Sequence, residues 1–381
     1  MTSRLAGLGV AHLIESDGPG GAERVVAELA MNLQAAGVQS VVFVPAGGEG
    51  WLARQVAGSG VAIEQFRIAH PVSPACARSL AAAFRRHRIV IAHSHEFSMA
   101  VYGSWASWYA GVPHVITMHG SRYYAARFRR RVALRAAMAL SGRTVAVSRS
   151  LSRRISHDLR VPLERISTIA NGVRHVRVPH TTLRDELGLA PGDRLLVSVG
   201  NLYPVKGHRY LVDALARLSS RCPNLHVAIA GRGDTAEALT KQAHAQGVAN
   251  RLHLIGLRSD IPAILMAADA FVLPSLSEGL PLALVEAMFA GCAIVATDVG
   301  DVGIVLAHGE AGVLVEPGNA PALAGALADL LDDPTRAAEL GARAARRALA
   351  EYDISHMVRQ YSQVYSDLTQ SRPSCAQRPV A

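Results

Sequence analysis

The stretch Ala270-Phe-Val-Leu273-Pro274-Ser-Leu-Ser-Glu278-Gly-Leu-Pro281-Leu-Ala-Leu-Val-Glu286-Ala287 decides the reading of the fold. Its first four residues are apolar and read as a buried strand. A short loop follows. The spacing after it predicts a helix over 281–290 with Pro281 at the first position, where an absent N–H leaves no bond unmade. Strand, short loop and helix make one βα unit of a parallel sheet. In such a unit the loop N–H groups and the helix N-terminus form a ready anion site, suited to a diphosphate. Glu278 in the loop and Glu286 on the helix are spaced Glu-x7-Glu. Carboxylates accept paired hydrogen bonds from sugar hydroxyls, so one is expected to read a donor sugar and the other a ribose.

The same alternation extends in both directions. Behind this stretch, 195–199, 225–230 and 252–255 read as strands; ahead of it, 293–296 and 313–315 do. Helices are expected at 207–220, 236–246, 321–331, 334–351 and 354–368. In the front half, 8–14, 39–44, 89–92, 114–118, 144–147 and 166–169 read as strands. There a helix over 22–36 carries Val25, Leu29 and Leu33 along one face. Periodicity lapses around 174–184, which contains Pro179 and is taken as a linker. The expected organisation is α/β, two Rossmann-like domains facing a central cleft: a basic N-terminal domain over 1–178 and a second domain over 185–352. A helix over 353–370 is expected to pack back on the N-terminal domain, and 371–381 to form a disordered tail. Ligands of such sheets bind beyond the carboxyl ends of the strands.

Composition fits this organisation. The chain has 381 residues, half of them hydrophobic and 18% charged, enough for two cores. Four cysteines stand far apart without a C-x-x-C pair, which argues against a disulfide framework or a cysteine metal site and for a reducing, cytoplasmic setting. No apolar run reaches the length of a membrane span, and the apolar 5–14 segment lacks a cleavage site and is read as the first strand. The net charge of +9 is unevenly placed: residues 1–180 carry 22 Arg, no Lys and 9 acidic residues, whereas 181–381 are slightly acidic. Between Phe97 and His157 there are ten arginines and no carboxylate. A nucleic-acid partner is not expected, because no recognised module is present and no aromatic residues are interleaved with the arginines at a stacking spacing. An anionic membrane surface is the expected partner of Arg122–Arg135. There Ala125, Phe128, Val132, Ala136 and Ala139 form an apolar stripe if 121–140 is one helix.

The 274–287 segment resembles the signature of the retaining glycosyltransferases of family 4, which have the two-Rossmann-domain GT-B fold. Other stations occur in order along nearly the whole chain: Asp17-Gly-Pro-Gly20-Gly21-Ala-Glu23, Thr117-Met-His119-Gly120, Val147-Ser148, Asn171-Gly172-Val173, and Ser198-Val-Gly200-Asn201-Leu-Tyr-Pro-Val-Lys206-Gly207-His208. The resemblance implies that Lys206 neutralises the donor diphosphate, that Glu278 accepts hydrogen bonds from the donor sugar, and that Glu286 does so from the ribose. Backbone near Gly279 and Leu280 would hold phosphate and sugar, and His119 would meet the sugar near the reacting centre. Gly20 and Gly21 would let backbone approach the phosphates. Lys206 is expected to stand in an open cleft, so that removing it leaves folding unaffected. The chain departs from the family at Asn201, where an arginine is usual, with Arg232 as a candidate replacement, and at Arg174, where an acidic residue is common.

The implied reaction is retaining transfer from a nucleotide sugar to a saccharide or lipid-linked hydroxyl acceptor. It would serve cell-surface polysaccharide or glycolipid assembly, with front-face departure assisted by the leaving diphosphate. No cofactor beyond the nucleotide-sugar co-substrate is expected, and no obligatory metal, since Asp-x-Asp is absent. A sugar-nucleotide epimerase of the same fold and a non-catalytic basic binding protein remain the alternatives. The expected location is cytoplasmic, peripheral to the inner face of the membrane.

Overall fold

A computed structural model describes residues 5–68, 73–120, 122–125, 127–176 and 181–370. The expected tail at 371–381 and the linker's Pro179 lie outside them. The chain divides into two compact units, Met1–Gly172 with Ile354–Ala381, and Val173–Asp353. Sequence placed the first boundary at 178. The division falls earlier because the Val173 N–H donates to the Tyr352 carbonyl at 2.9 Å and Val173 bridges Asp353. No helix among the described residues is long and apolar enough to cross a membrane.

The first unit is built on β1 (Gly9–Leu13), β2 (Gln39–Pro45), β3 (Ala62–Phe66), β4 (Ile89–His95), β5 (His114–Met118), β6 (Arg143–Ala146) and β7 (Ile166–Thr168), ordered β3-β2-β1-β4-β5-β6-β7. The second contains β8 (Arg194–Val199), β9 (Leu225–Ala230), β10 (Leu252–Gly256), β11 (Ala270–Leu273), β12 (Ile294–Thr297) and β13 (Val313–Val315), ordered β10-β9-β8-β11-β12-β13. Every pairing is parallel. In each unit the chain winds outward from a central strand and then returns to that strand's other side. The direction reverses between β1 and β4 in one sheet and between β8 and β11 in the other. Loops leaving the carboxyl ends at such a reversal diverge and leave a crevice. The glycine loop after β1 and the loops after β8 and β11 all start at these points.

Central strands are buried on both faces and therefore read as unbroken apolar runs. In the second unit, Leu196, Val227, Val272 and Val295 meet Leu211, Val212 and Leu215 of the helix His208–Arg217, and Leu323 and Leu327 of the helix Ala320–Asp332. Each such side chain contributes about 1.5–3 kcal/mol on burial. The helix Ile354–Gln370 belongs to the first unit, where Tyr361 and Tyr365 are fully buried.

Three local expectations change. The strand expected at 89–92 runs on to His95, because His93, Ser94 and His95 are fully buried despite their polarity. The single helix expected over 121–140 is two, Arg122–Ala125 and Phe128–Leu140, with Arg127 extended between them. Pro281 is not the first helical residue but caps the helix Leu282–Phe289 with extended ψ.

Candidate active site

Two loops of the second unit are stitched together where β8 and β11 end. The Leu276 N–H donates to the Val205 carbonyl at 2.8 Å. Gly207 has φ +67°, and a Cβ there would collide with the Pro274 carbonyl oxygen. Glycine is thus required twice at one position, for its backbone conformation and for its lack of bulk. From β12, the Thr297 hydroxyl is within bonding distance of the Ser275 and Leu273 carbonyls, 2.5 and 3.2 Å. The outcome is a fixed distance between the side chains that the two loops carry.

Those side chains are Lys206 and Glu278. The ammonium donates to both carboxylate oxygens, at 2.7 and 3.0 Å, and the Ser275 hydroxyl donates to Oε1 at 2.6 Å. The Glu278 side chain is 8% exposed and that of Lys206 26%. The expectation that Lys206 stands apart in an open cleft is therefore corrected. It neutralises a nearly buried carboxylate, so its removal is expected to cost stability. Ser275, which the sequence reading passed over, orients Glu278 from three residues upstream. Behind the cluster, His208 is buried at the start of its helix. Burial, and then the Lys206 charge, push its pKa down to about 4.

The remaining donor-side residues fall as follows. Asn201 and Arg232 come from neighbouring loops joined by a 2.9 Å bond from the Leu202 N–H to the Arg232 carbonyl, and the Arg232 side chain is exposed. Glu286 is buried within its helix, one residue beyond Val285. The Gly279 carbonyl accepts from the Asp301 N–H, and Leu280 is buried. In the first unit, Gly20 is the N-cap of the helix Gly21–Ala35. Its φ is negative, and a Cβ there would meet only the movable carboxylate end of the Glu23 side chain.

His119 stands at the end of β5 in a network that the sequence reading did not foresee. Its Nε2 lies 3.1 Å from Nδ1 of His95, and its backbone N–H donates to Glu96 at 3.1 Å. Glu96 has φ +67°, strain tolerated only where surroundings enforce it. Burial, and next the neighbouring Glu15, raise its pKa to about 8. Burial lowers that of His119 to about 4, leaving a neutral imidazole near neutral pH. The readable signal was His-x-His at the end of an apolar run, which places both rings on one face of a strand.

Comparison with known proteins agrees with this geometry. Residues 19–177 match the model of Glycosyltransferase Family 4 and residues 180–347 that of Glycosyl transferases group 1. Glycogen synthase of Mycobacterium tuberculosis is 30% identical over 292 residues, covering 74% of this chain and 69% of that protein. Alpha-D-kanosaminyltransferase of Streptomyces kanamyceticus is 28% identical, over 72% of this chain and 77% of its own. In fold the chain is similar to a glycosyltransferase from Rickettsia africae, with TM-score 0.86, 18% identity and coverage of 96% and 99%. It is also similar to Anabaena HepE solved with UDP and glucose, with TM-score 0.83, 23% identity and coverage of 94% and 100%. With two parallel sheets of GT-B type, both halves matched and the β8 and β11 loops locked around Lys206 and Glu278, the chain belongs to the family 4 glycosyltransferases.

Proposed function

We propose that this glycosyltransferase is a retaining hexosyltransferase that takes its sugar from a nucleotide-sugar donor held by the second unit and passes it to a saccharide or lipid-linked hydroxyl in cell-surface polysaccharide or glycolipid assembly. The observation that carries this reading is the Lys206–Glu278–Ser275 cluster at the sheet reversal. A diphosphate entering beside Lys206 shares its ammonium with Glu278, and the carboxylate so released can accept bonds from sugar hydroxyls. Charge that develops on the departing diphosphate is then met by a cation already in place. Asn201, Arg232, Gly279 and Leu280 border the phosphates, and Glu286 receives the ribose. In this reading the donor needs no obligatory metal ion. That Anabaena HepE, of the same fold, was solved with UDP and with UDP-glucose supports a uridine donor.

A thermal-shift panel of UDP-, GDP- and ADP-sugars tests the donor, since a ligand at a hundred times its Kd stabilises by about 2.7 kcal/mol. The product's anomeric configuration, read by NMR, tests retention. Inverted product excludes the mechanism. Turnover without acceptor-dependent release of nucleoside diphosphate favours the epimerase alternative.

A second reading concerns where the enzyme works. The helix Phe128–Leu140 buries Leu134, Ala137 and Met138, whereas Phe128 is 72%, Val132 51% and Leu140 59% exposed. Of the apolar stripe noted in the sequence, Phe128, Val132, Ala136 and Ala139 face solvent amid Arg127, Arg129 and Arg135, whereas Ala125 packs on the core. That arrangement supports peripheral docking on an anionic membrane surface.

A further inference from the structure

Beneath His119 lies a cluster that the transfer reaction does not use. His12 on β1 is paired in register with His93 on β4, and His95 follows two residues later on the same face of β4. All three side chains are completely buried. Their ring centroids are 5.7 Å (His12–His93), 6.2 Å (His12–His95) and 4.1 Å (His93–His95) apart. One ring nitrogen from each lies within 4.8 Å of those of the other two. Among the described residues neither nitrogen of His12 has a hydrogen-bond partner, and neither does Nε2 of His95. Leaving one buried polar atom unsatisfied costs roughly 1–3 kcal/mol. Three such atoms converging in one core are therefore unusual without a ligand to serve them.

We propose that His12, His93 and His95 form a buried site for a divalent transition-metal ion, zinc foremost, that sets the orientation and tautomer of His119. Among the described residues the donor set is three imidazoles with no carboxylate in the group. That chemistry suits zinc, cobalt, nickel or copper and disfavours magnesium and calcium, which take oxygen ligands. Burial and the mutual repulsion of their protonated forms hold His93 and His95 far below the usual histidine pKa, and burial alone lowers His12 to about 3, so all three offer free lone pairs at neutral pH.

Zinc–nitrogen bonds of about 2.0–2.1 Å place the nitrogens of a tetrahedral site roughly 3.3 Å apart, so the rings draw together on binding. His12 has no bond to break. His93 touches the Tyr365 hydroxyl at 2.6 Å through Nδ1 and Thr117 Oγ1 at 2.7 Å through Nε2. It releases one contact to the ion and keeps the other as the outer bond that orients a ligand ring. With the ion on Nε2 of His95, Nδ1 must carry the proton. It then donates to Nε2 of His119 across the 3.1 Å contact, which leaves the proton of neutral His119 on Nδ1. His95 is thereby a positioning residue.

The test uses the full chain expressed in zinc-supplemented medium and dialysed against a weak chelator. Metal analysis is expected to find one zinc per chain. That zinc is lost in His12→Asn and retained in His226→Asn, which disrupts the 3.1 Å His226–His253 pair in the other unit. X-ray absorption at the zinc edge of the wild-type chain should show three imidazole nitrogens at about 2.0 Å. This readout does not depend on a variant folding. Wild-type chain without zinc, zinc kept in His12→Asn, or an edge spectrum with fewer than three imidazoles would each overturn the site. None of these results depends on the donor reading.

Discussion

In the proposed reading Lys206 and Glu278 each have two tasks, and substitution separates them. Lys206→Ala removes a charge-assisted contact to the diphosphate, about 1.5–3 kcal/mol, or roughly ten- to a hundredfold in kcat/KM. Among the described residues it also leaves a nearly buried carboxylate with Ser275 in place of an ion-pair partner, so the melting temperature should fall. In Lys206→Ala/Glu278→Ala the stability loss should be smaller than the sum of the singles, whereas activity stays low. Additive stability in that double-mutant cycle would show the ion pair to be unimportant to the fold. His208 supplies a second expectation at this scale. Its folded pKa of about 4 lies below the ordinary 6.5, so the unfolded chain binds the extra proton first. Its contribution is intact above pH 6.5 and is lost as pH falls toward 4, about 3 kcal/mol across that window. His208→Gln should flatten the acid limb of the stability curve; an unchanged limb would assign it to other groups.

Among the elements, the helix Phe128–Leu140 gives the sharpest test. Cosedimentation should be strong with anionic vesicles at low salt, weak with neutral ones, and reduced by Arg129→Ala/Arg131→Ala/Arg135→Ala. Each arginine near such a surface is worth about 1 kcal/mol. Binding indifferent to lipid charge and salt removes the docking reading. Legibility also varied by element, for reasons of burial. The strands at Leu225–Ala230, Ala270–Leu273 and Val313–Val315 were read to the residue, because short, mostly apolar runs between turn residues fit strands of a helix-covered sheet. Edge strand β3, Ala62–Phe66, was missed: it is largely solvent-facing and carries Glu64 and Gln65. β4 was cut short because His-Ser-His reads as polar until its partners, Tyr365, Thr117 and His114, are brought in from distant sequence. The same limit hid the histidine trio. Its spacing exists across a strand pair, and no linear motif encodes it. Lys206 and Glu278 were legible as candidate site residues, but their mutual bond was not, since it depends on how two loops 72 residues apart are stitched.

The whole molecule repeats one winding order in both sheets, and the charge difference between the halves coincides with the two units. The repetition is interrupted in one respect. The first unit is discontinuous: the helix whose Tyr361 meets Thr117 and whose Tyr365 meets His93 arrives only after the second unit has been traversed. Closing a loop of roughly 180 unstructured residues costs about 4–5 kcal/mol in chain entropy. The folded second unit holds Val173 against Tyr352 and Asp353, so its two ends are already together when the last helix seeks its place. Assembly should therefore proceed from the inserted unit outward. Pulsed hydrogen exchange during refolding should show protection of β8–β13 before that of Ile354–Gln370; the opposite order would rule this out. During synthesis the first unit emerges earliest yet is completed last. Until then Thr117 and His93 lack their tyrosine partners, and truncation anywhere before Ile354 halts the nascent chain at that stage.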